Sequence, residues 1–349
     1  MKKIMVTGGC GYIGSHTIIE LVQSGRYEVI SVDSNVRSTP ETMDRVAQIT
    51  GVRVPNYQLD ICDKTSFFKI FEEHTDIVGI IHFAAYKAVG ESVEQPLMYY
   101  RNNLGALANV LESCQKFHVP ALIFSSSCSV YGDVHHLPVS EETPMGVAAC
   151  PYAHTKQIGE EMIRNMLVPN PDMNALILRY FNPVGAHVSG LNGELSPDKP
   201  SNLVPIIMRV ASGKQPSMTV FGTDYETRDG SCIRDYLHVS DIADAHVKAL
   251  DYLLEHRNAD QCEVFNLGSG NGITVLEMLR AAEEVTGHKL NYELGARRPG
   301  DIPAIFGDSS RANNLLHWHC RYGVDMMMES AWKWEQHLNS ENLNFESYD

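Results

Sequence analysis

The chain has 349 residues, enough for one large or two modest domains, and its 44% apolar content allows a substantial core. Its 43 acidic and 28 basic side chains give a net charge of −15. That excludes sequence-independent nucleic-acid binding and attraction to an anionic membrane, although a few arginines in a cleft can still hold a phosphorylated ligand.

No apolar run is long enough to span a bilayer. The 8 cysteines show no Cys-x-x-Cys and no metal-like spacing, as expected of reduced thiols in a cytoplasmic protein. Lys3 to Thr7 reads as a buried strand, followed by Gly8-x-x-Gly11-x-x-Gly14 and a helix from about Gly11 to Ser24, closed by Gly25. Glycines so spaced permit a tight turn, let a pyrophosphate approach the backbone and pack helix against strand. Tyr27 to Val32 makes a second strand and completes the context a dinucleotide site requires. Asp33 ends that strand, where a carboxylate accepts the adenosine ribose hydroxyls and repels a 2′-phosphate, so NAD is expected rather than NADP.

Asn56–Leu59 reads as a third strand, with Asp60 and Ile61 after it as an adenine-edge contact. Gly79–Phe83, Ala121–Phe124 and Ala175–Leu178 follow as further strands, with helices at about Thr65–His74 and Leu97–Phe117. This alternation predicts an α/β fold built on a doubly wound parallel sheet, with ligands at the carboxyl ends of its strands. Those ends carry Phe83-Ala84-Ala85-Tyr86-Lys87, Ser125-Ser126-Ser127 and Arg179-Tyr180-Phe181-Asn182.

Between the fifth and sixth strands lies Pro151-Tyr152-Ala153-His154-Thr155-Lys156. Pro151 suits a first helical position, and Tyr152 and Lys156 share one helix face, a turn apart. A Lys ammonium beside a phenol favours the phenolate, drawing a group of ordinary pKa near ~10 towards neutrality and making Tyr152 a general base. Ser127 can hydrogen-bond a substrate hydroxyl or the Tyr152 ring oxygen.

The character changes after Asn182. Gly185–Pro200 reads as a long functional loop, and Asn202-Leu203-Val204-Pro205 opens a helix reaching Ser212. A strand at Gln215–Gly222, a helix at Asp241–His256, a strand at Val264–Leu267 and a helix at Thr274–Thr286 follow. The expected division is a nucleotide-binding domain over 1–180 and a smaller α/β domain over 181–349, with 237–265 packing back on the first. The tail after Gln336 is polar. Glu141-Glu142 and His135-His136 read as solvated loop residues, His317-Trp318-His319-Cys320 as structural, and Cys128 as a small filler.

Several runs together resemble the extended short-chain dehydrogenase/reductases, a Rossmann-type family, and within it the UDP-hexose 4-epimerases. They are Thr7 to His16, Lys87-Ala88-Val89-Gly90-Glu91-Ser92, the Tyr152/Lys156 pair and Tyr180 to Ala186. Asp224 to Gly230, Arg234-Asp235-Tyr236-Leu237-His238-Val239, Asn266-Leu267-Gly268 and Arg297-Arg298-x-Gly300-Asp301 extend the match over nearly the whole chain. The resemblance implies NAD held by Gly8, Gly11, Tyr12, Ile13, Gly14, Asp33, Asn35, Asp60, Ile61, Phe83, Lys87, Asn102, Lys156 and Tyr180. It implies Tyr152 as catalytic base, with Ser127 and Lys156 assisting. It implies a UDP-sugar held by Ser127, Tyr152, Asn182, Asn202, Leu203, Arg234, Arg298 and Asp301. The implied reaction interconverts UDP-galactose and UDP-glucose by transient oxidation at C4, in a homodimer whose long helices at Leu97–Phe117 and Tyr152–Leu167 pair into a four-helix bundle. No metal, nucleic acid or membrane is implied.

Nucleotide-sugar 4,6-dehydratases and uronate decarboxylases of this scaffold are expected to carry carboxylates after the Ser127 position. Cys128-Ser129-Val130-Tyr131 has none, and a silent NAD-binding regulator would be expected to lose the Tyr152/Lys156 pair. Tyr86 stands where this family more often has a Leu-type residue, so it is either a cofactor contact or a changed pocket wall. Ile305 falls where family members limit room for the sugar 2-substituent, and an intermediate, χ1-stiff side chain there implies preference for the unsubstituted hexoses.

Overall fold

The computed structural model describes residues 1–134, 136–195, 200, 202–298 and 301–340. His135, Gly300, the 196–199 part of the long loop and the polar tail beyond 340 lie outside the described residues. The first half alternates strand and helix: β1 (Lys2–Thr7), α1 (Tyr12–Gln23), β2 (Tyr27–Asp33), α2 (Glu41–Thr50), β3 (Asn56–Gln58), α3 (Lys64–Glu73) and β4 (Ile77–His82). Then come α4 (Val89–Glu94), α5 (Pro96–Tyr99), a π-helical turn at Tyr100–Leu104, α6 (Gly105–Lys116), β5 (Ala121–Ser127), α7 (Pro151–Leu167) and β6 (Asn174–Tyr180).

The second half carries β7 (Asn182–Val184), α8 (Leu203–Ala211), β8 (Met218–Phe221), β9 (Ile233–Arg234), β10 (Tyr236–His238), α9 (Val239–Leu254) and β11 (Cys262–Leu267). It closes with β12 (Ile273–Thr274), α10 (Val275–Thr286), β13 (Tyr292–Gly295), β14 (Ala304–Ile305), α11 (Ser310–Leu315) and α12 (Val324–Ser340).

A 7-stranded sheet in the order β11-β6-β5-β4-β1-β2-β3 forms the centre, and every pairing in it is parallel. The strand order reverses between β1 and β4, so the α1 crossover leaves one way and the later crossovers the other. The crevice at that switch point is where such sheets bind ligands.

One face of the sheet packs on α1, α2 and α9 through Ile4, Val6, Ile18, Leu21, Val46, Ile242 and Leu250. The other packs on α3, α6 and α7 through Met5, Phe67, Phe71, Leu107, Val110 and Ile163. A separate core of Val204, Ile207, Met208, Met278, Met328 and Ala331 joins α8, α10 and α12. The strands are buried on both faces and therefore read as continuous apolar runs, not alternating ones.

Three expectations shift. The helix expected over Leu97–Phe117 is interrupted by the π-helical turn at Tyr100–Leu104, which holds Asn102 and Asn103. Helix α12 runs on to Ser340, so the segment after Gln336 is not wholly an irregular tail. Glu141 is not a solvated loop residue: its Oε1 accepts from the Asn266 backbone N–H at 2.7 Å.

Candidate active site

The glycine turn after β1 is shaped to receive a dinucleotide. Gly8 has φ of +70°, and a Cβ there would lie 2.8 Å from the Ala84 nitrogen. A Cβ on Gly14 would lie 2.2 Å from the Gly8 carbonyl oxygen. Side chains are therefore excluded at Gly8 and Gly14, and the α1 N-terminus, with Gly11 at its N-cap, has no side-chain cap. Its exposed N–H dipoles suit a pyrophosphate. Asp33 at the end of β2 accepts from Cys10 N–H at 3.0 Å, Asn35 N–H at 2.9 Å and the Ser38 hydroxyl at 2.8 Å. These bonds hold the carboxylate beside the turn, with a lone-pair direction on Oδ2 left for a ribose hydroxyl.

After β4, the loop carrying Phe83 and Lys87 is fastened by Asn103, a residue the sequence reading did not single out. Asn103 Oδ1 accepts from Tyr86 N–H at 2.8 Å, and its Nδ2 donates to Tyr86 O at 3.1 Å and to Thr155 Oγ1 on α7 at 3.1 Å. Asn102 donates to Asn103 at 3.0 Å. An Asn pair inside a helix, where its propensity is poor, was the available signal. The Tyr86 ring lies under the Arg37 guanidinium at 5.4 Å, which itself pairs with Glu91. Through Arg37, Tyr86 is tied to Glu91 of α4. Asp60 and Ile61 sit just beyond β3, where the Cys62 N–H donates to Asp60 Oδ1 at 2.8 Å.

The reactive end lies at the carboxyl edge of β5 and β6. Pro151 opens α7 with Cys150 as N-cap, which turns Tyr152 and Lys156 onto the helix face that meets β5. Lys156 is 6% exposed. Its Nζ donates to Ser125 O at 2.7 Å and stands 5.0 Å from the Phe124 ring and 5.8 Å from the Tyr152 ring. Burial pushes its pKa down to about 8, with the Glu160 charge opposing. Burial also pushes the Tyr152 phenol up, Tyr180 adds to the rise, and the neighbouring Ser127 hydroxyl opposes it.

In this arrangement burial raises the Tyr152 phenol, and the pull towards neutrality expected of Lys156 is a proposal for the NAD-loaded protein. The ammonium spends its contact on a backbone carbonyl, and desolvation of the phenol outweighs a cation held at that distance. Tyr180 and Ser125 share a hydrogen bond between their hydroxyls. Below them Glu160 grips Arg179 at 2.6 and 2.8 Å and accepts from Ser126 at 2.7 Å, fixing the β5 and β6 ends.

Opposite the sheet edge, Asn182 stands at the start of β7, its backbone N–H on Asp235 O at 2.9 Å. Asn202 is the N-cap of α8 and Leu203 its first residue. Arg234 and Arg298 converge on Asp301: Arg298 donates to its oxygens at 2.8 and 3.1 Å, and Arg234 approaches at 3.5 Å. Two guanidinium groups around one carboxylate leave a locally cationic corner in an acidic protein, suited to a diphosphate. Cys128 is pushed up to about 12 by burial, so it stays a thiol.

A model of the NAD dependent epimerase/dehydratase family matches residues 4–268. The UDP-glucose 4-epimerase of Pasteurella multocida is 44% identical over 333 residues, covering 95% of this chain and 97% of that protein. A UDP-glucose-4-epimerase from Stenotrophomonas maltophila, solved with bound NAD and formylated UDP-arabinopyranose, superimposes with a TM-score of 0.94 at 41% identity, over 98% of this chain and 100% of that one. The Bifidobacterium longum UDP-glucose 4-epimerase in complex with NAD+ and UDP gives a TM-score of 0.90 at 43% identity, over 96% and 98% of the two chains.

Proposed function

The chain belongs to the NAD dependent epimerase/dehydratase family, and on that premise we propose how its residues carry the reaction. The protein is an isomerase that interconverts UDP-galactose and UDP-glucose with NAD. Residues of the Gly8–Gly14 turn hold the pyrophosphate, and Asp33 holds the adenosine ribose. Asp60 and Ile61 line the adenine, and Phe83, Lys87, Asn102, Lys156 and Tyr180 carry the nicotinamide half. When bound, NAD supplies the oxidant that takes hydride from sugar C4 and returns it to the opposite face, together with a cationic ring near the phenol.

The chain supplies the rest. Tyr152 takes the C4 hydroxyl proton as that carbon is oxidised and gives it back afterwards. Ser127 steers that hydroxyl by hydrogen bonding, and Lys156 retains N–H donors beyond the one on Ser125 for the nicotinamide ribose. Arg234, Arg298 and Asp301 fasten the UDP half. Anchoring the nucleotide and leaving the sugar lightly held lets the ketose turn and present its other face. The observation that carries this reading is the convergence of Tyr152, Lys156, Ser127 and Tyr180 on one sheet edge, beside a glycine turn in which Gly8 and Gly14 have no room for a Cβ. Its test is conversion of UDP-galactose to UDP-glucose by the purified protein without added cofactor. Strict dependence on added NAD, with NADH accumulating, points instead to a releasing dehydrogenase.

The cofactor unit is proposed to span 1–180 and the sugar unit 181–349, with α9 and β11 lying alongside the first. A homodimer through α5–α6 and α7 is supported by Leu97, 64% exposed on that surface. A stable monomer by light scattering contradicts it. Among the described residues no helix is long and apolar enough to cross a membrane, and 8 free thiols support a reducing, cytoplasmic setting.

A further inference from the structure

We propose that Glu194 is a positioning residue that links the cofactor side of the cleft to the nucleotide-sugar side through a single carboxylate oxygen. Glu194 Oε1 accepts from Lys87 Nζ at 2.8 Å and from Asn202 Nδ2 at 2.8 Å. Lys87 belongs to the loop after β4 and Asn202 to the start of α8, so the contact spans the two halves of the proposed site. This inference rests on the assignments of Lys87 to NAD and Asn202 to the UDP-sugar.

Three features set Glu194 apart from an ordinary surface ion pair. Its side chain is only 10% exposed although Lys87 is 59% exposed, so the carboxylate is the enclosed partner and the lysine the exposed one. Its backbone is fastened as well: Glu194 O accepts from Trp334 Nε1 on α12 at 3.0 Å. Two residues earlier, Asn192 Nδ2 donates to Ser15 Oγ on α1 at 2.9 Å. The carboxylate is therefore presented from a segment bolted to the cofactor helix and to the sugar unit alike. Finally, Asn202 occupies an N-cap, a position where Asn usually caps the helix with its own side chain, yet it makes no such bond. Its amide is committed to Glu194 instead. A helix cap is given up for a contact across the cleft.

An anion close to two bound diphosphates repels them. Glu194 also stands close enough to Tyr12, in the glycine turn, for its charge to raise that phenol further after burial has done so. The repulsion is tolerable because Lys87 neutralises it, and the gain is that two donors on opposite walls are held before either ligand arrives. Occupancy of one wall then favours occupancy of the other, and the effect is reciprocal.

The test uses the NAD-loaded protein and measures UDP affinity by calorimetry, NAD release with and without UDP, and kcat and KM for UDP-galactose. Glu194→Ala is expected to weaken UDP about ten-fold and raise KM about equally, with kcat changed less than about three-fold. UDP should no longer slow NAD release in that variant. Glu194→Gln, which keeps an acceptor oxygen of the same reach, should fall between the two and settles the matter if the alanine variant does not fold. Asn202→Ala should cost about ten-fold in UDP affinity alone but less than about two-fold on top of Glu194→Ala. Losses that simply multiply, unchanged UDP affinity, or a fall in kcat at constant KM each overturn the proposal. The affinity and release measurements need no turnover, so a protein that binds both ligands but does not interconvert the sugars defeats the functional reading and leaves this coupling to be judged separately.

Discussion

The Lys156 ammonium sits 2.7 Å from the Ser125 carbonyl oxygen and 5.8 Å from the Tyr152 ring centroid. Lysine and tyrosine are neighbours, but the lysine is anchored to the strand end and the phenol stands in a desolvated pocket that holds it protonated. Bound NAD would add a positive charge beside this site, and Tyr152, proposed as the base, would then be easier to ionise in the loaded protein.

Replacing Tyr152 by Phe removes the proton acceptor and little else. Turnover should fall by about 10²- to 10⁴-fold while bound NAD and the thermal midpoint stay near those of the parent. Cofactor content and kcat of the purified variant check this, and normal turnover removes Tyr152 from the mechanism.

Lys156 has a folded pKa lowered to about 8 from an ordinary 10.5. Below about 8 the ammonium is charged in both folded and unfolded chains, and the cost of burying it is fully present. Between about 8 and 10.5 the unfolded chain binds the extra proton, so stability rises with pH across that window. Lys156→Met has no such slope. The stability of the Met variant relative to the parent should therefore decline as pH climbs through the window, read from denaturant midpoints with cofactor removed. A relative stability that grows with pH contradicts the buried cation.

Glu160 and Arg179 have side chains 0% and 4% exposed. Burial works against the Glu160 charge, but the Arg179 guanidinium and the Ser126 hydroxyl hold its carboxyl below the usual range. The stability it contributes is present above its ordinary pKa of 4.5 and is lost as pH falls through the lower folded value. Arg179→Met alone should cost about 3 kcal/mol, the low end for a broken buried pair, because Arg164 at 3.1 Å and Ser126 at 2.7 Å still hold the carboxylate, whereas Glu160→Met with Arg179→Met should recover most of that loss. Single-variant losses that add in the double variant contradict a coupled pair.

Ile305 is 5% exposed on β14, in register with Arg234 of β9. A stiff branched residue beside Arg234, the arginine proposed to hold the diphosphate, is expected to favour UDP-glucose and UDP-galactose and to turn over N-acetylated sugars weakly. Equal kcat/KM for UDP-N-acetylglucosamine refutes it, and Ile305→Ala should raise that ratio in favour of the larger sugar.

The parallel sheet was legible in the sequence because strands buried on both faces write themselves as short apolar runs, and the glycine turn because its spacing is steric. Helix α2 was not, since 41–50 mixes polar residues with only a narrow apolar stripe and relies on packing against α1. The π-helical turn escaped because propensity does not report where such a turn interrupts a helix. Glu194 escaped because its partner Lys87 is 107 residues away, and nothing local marks such a contact. The Tyr152/Lys156 spacing was visible, but the burial that lowers the lysine and raises the phenol was not, since it depends on the packing around both.

The central claim is that the hydrogen taken from C4 returns to the same carbon from the other side. UDP-galactose deuterated at C4 and given to the protein as purified tests this directly. The account predicts UDP-glucose that retains the deuterium at C4, with no net NADH and no exchange with solvent. Loss of the label from product, or its accumulation in released NADH, contradicts it.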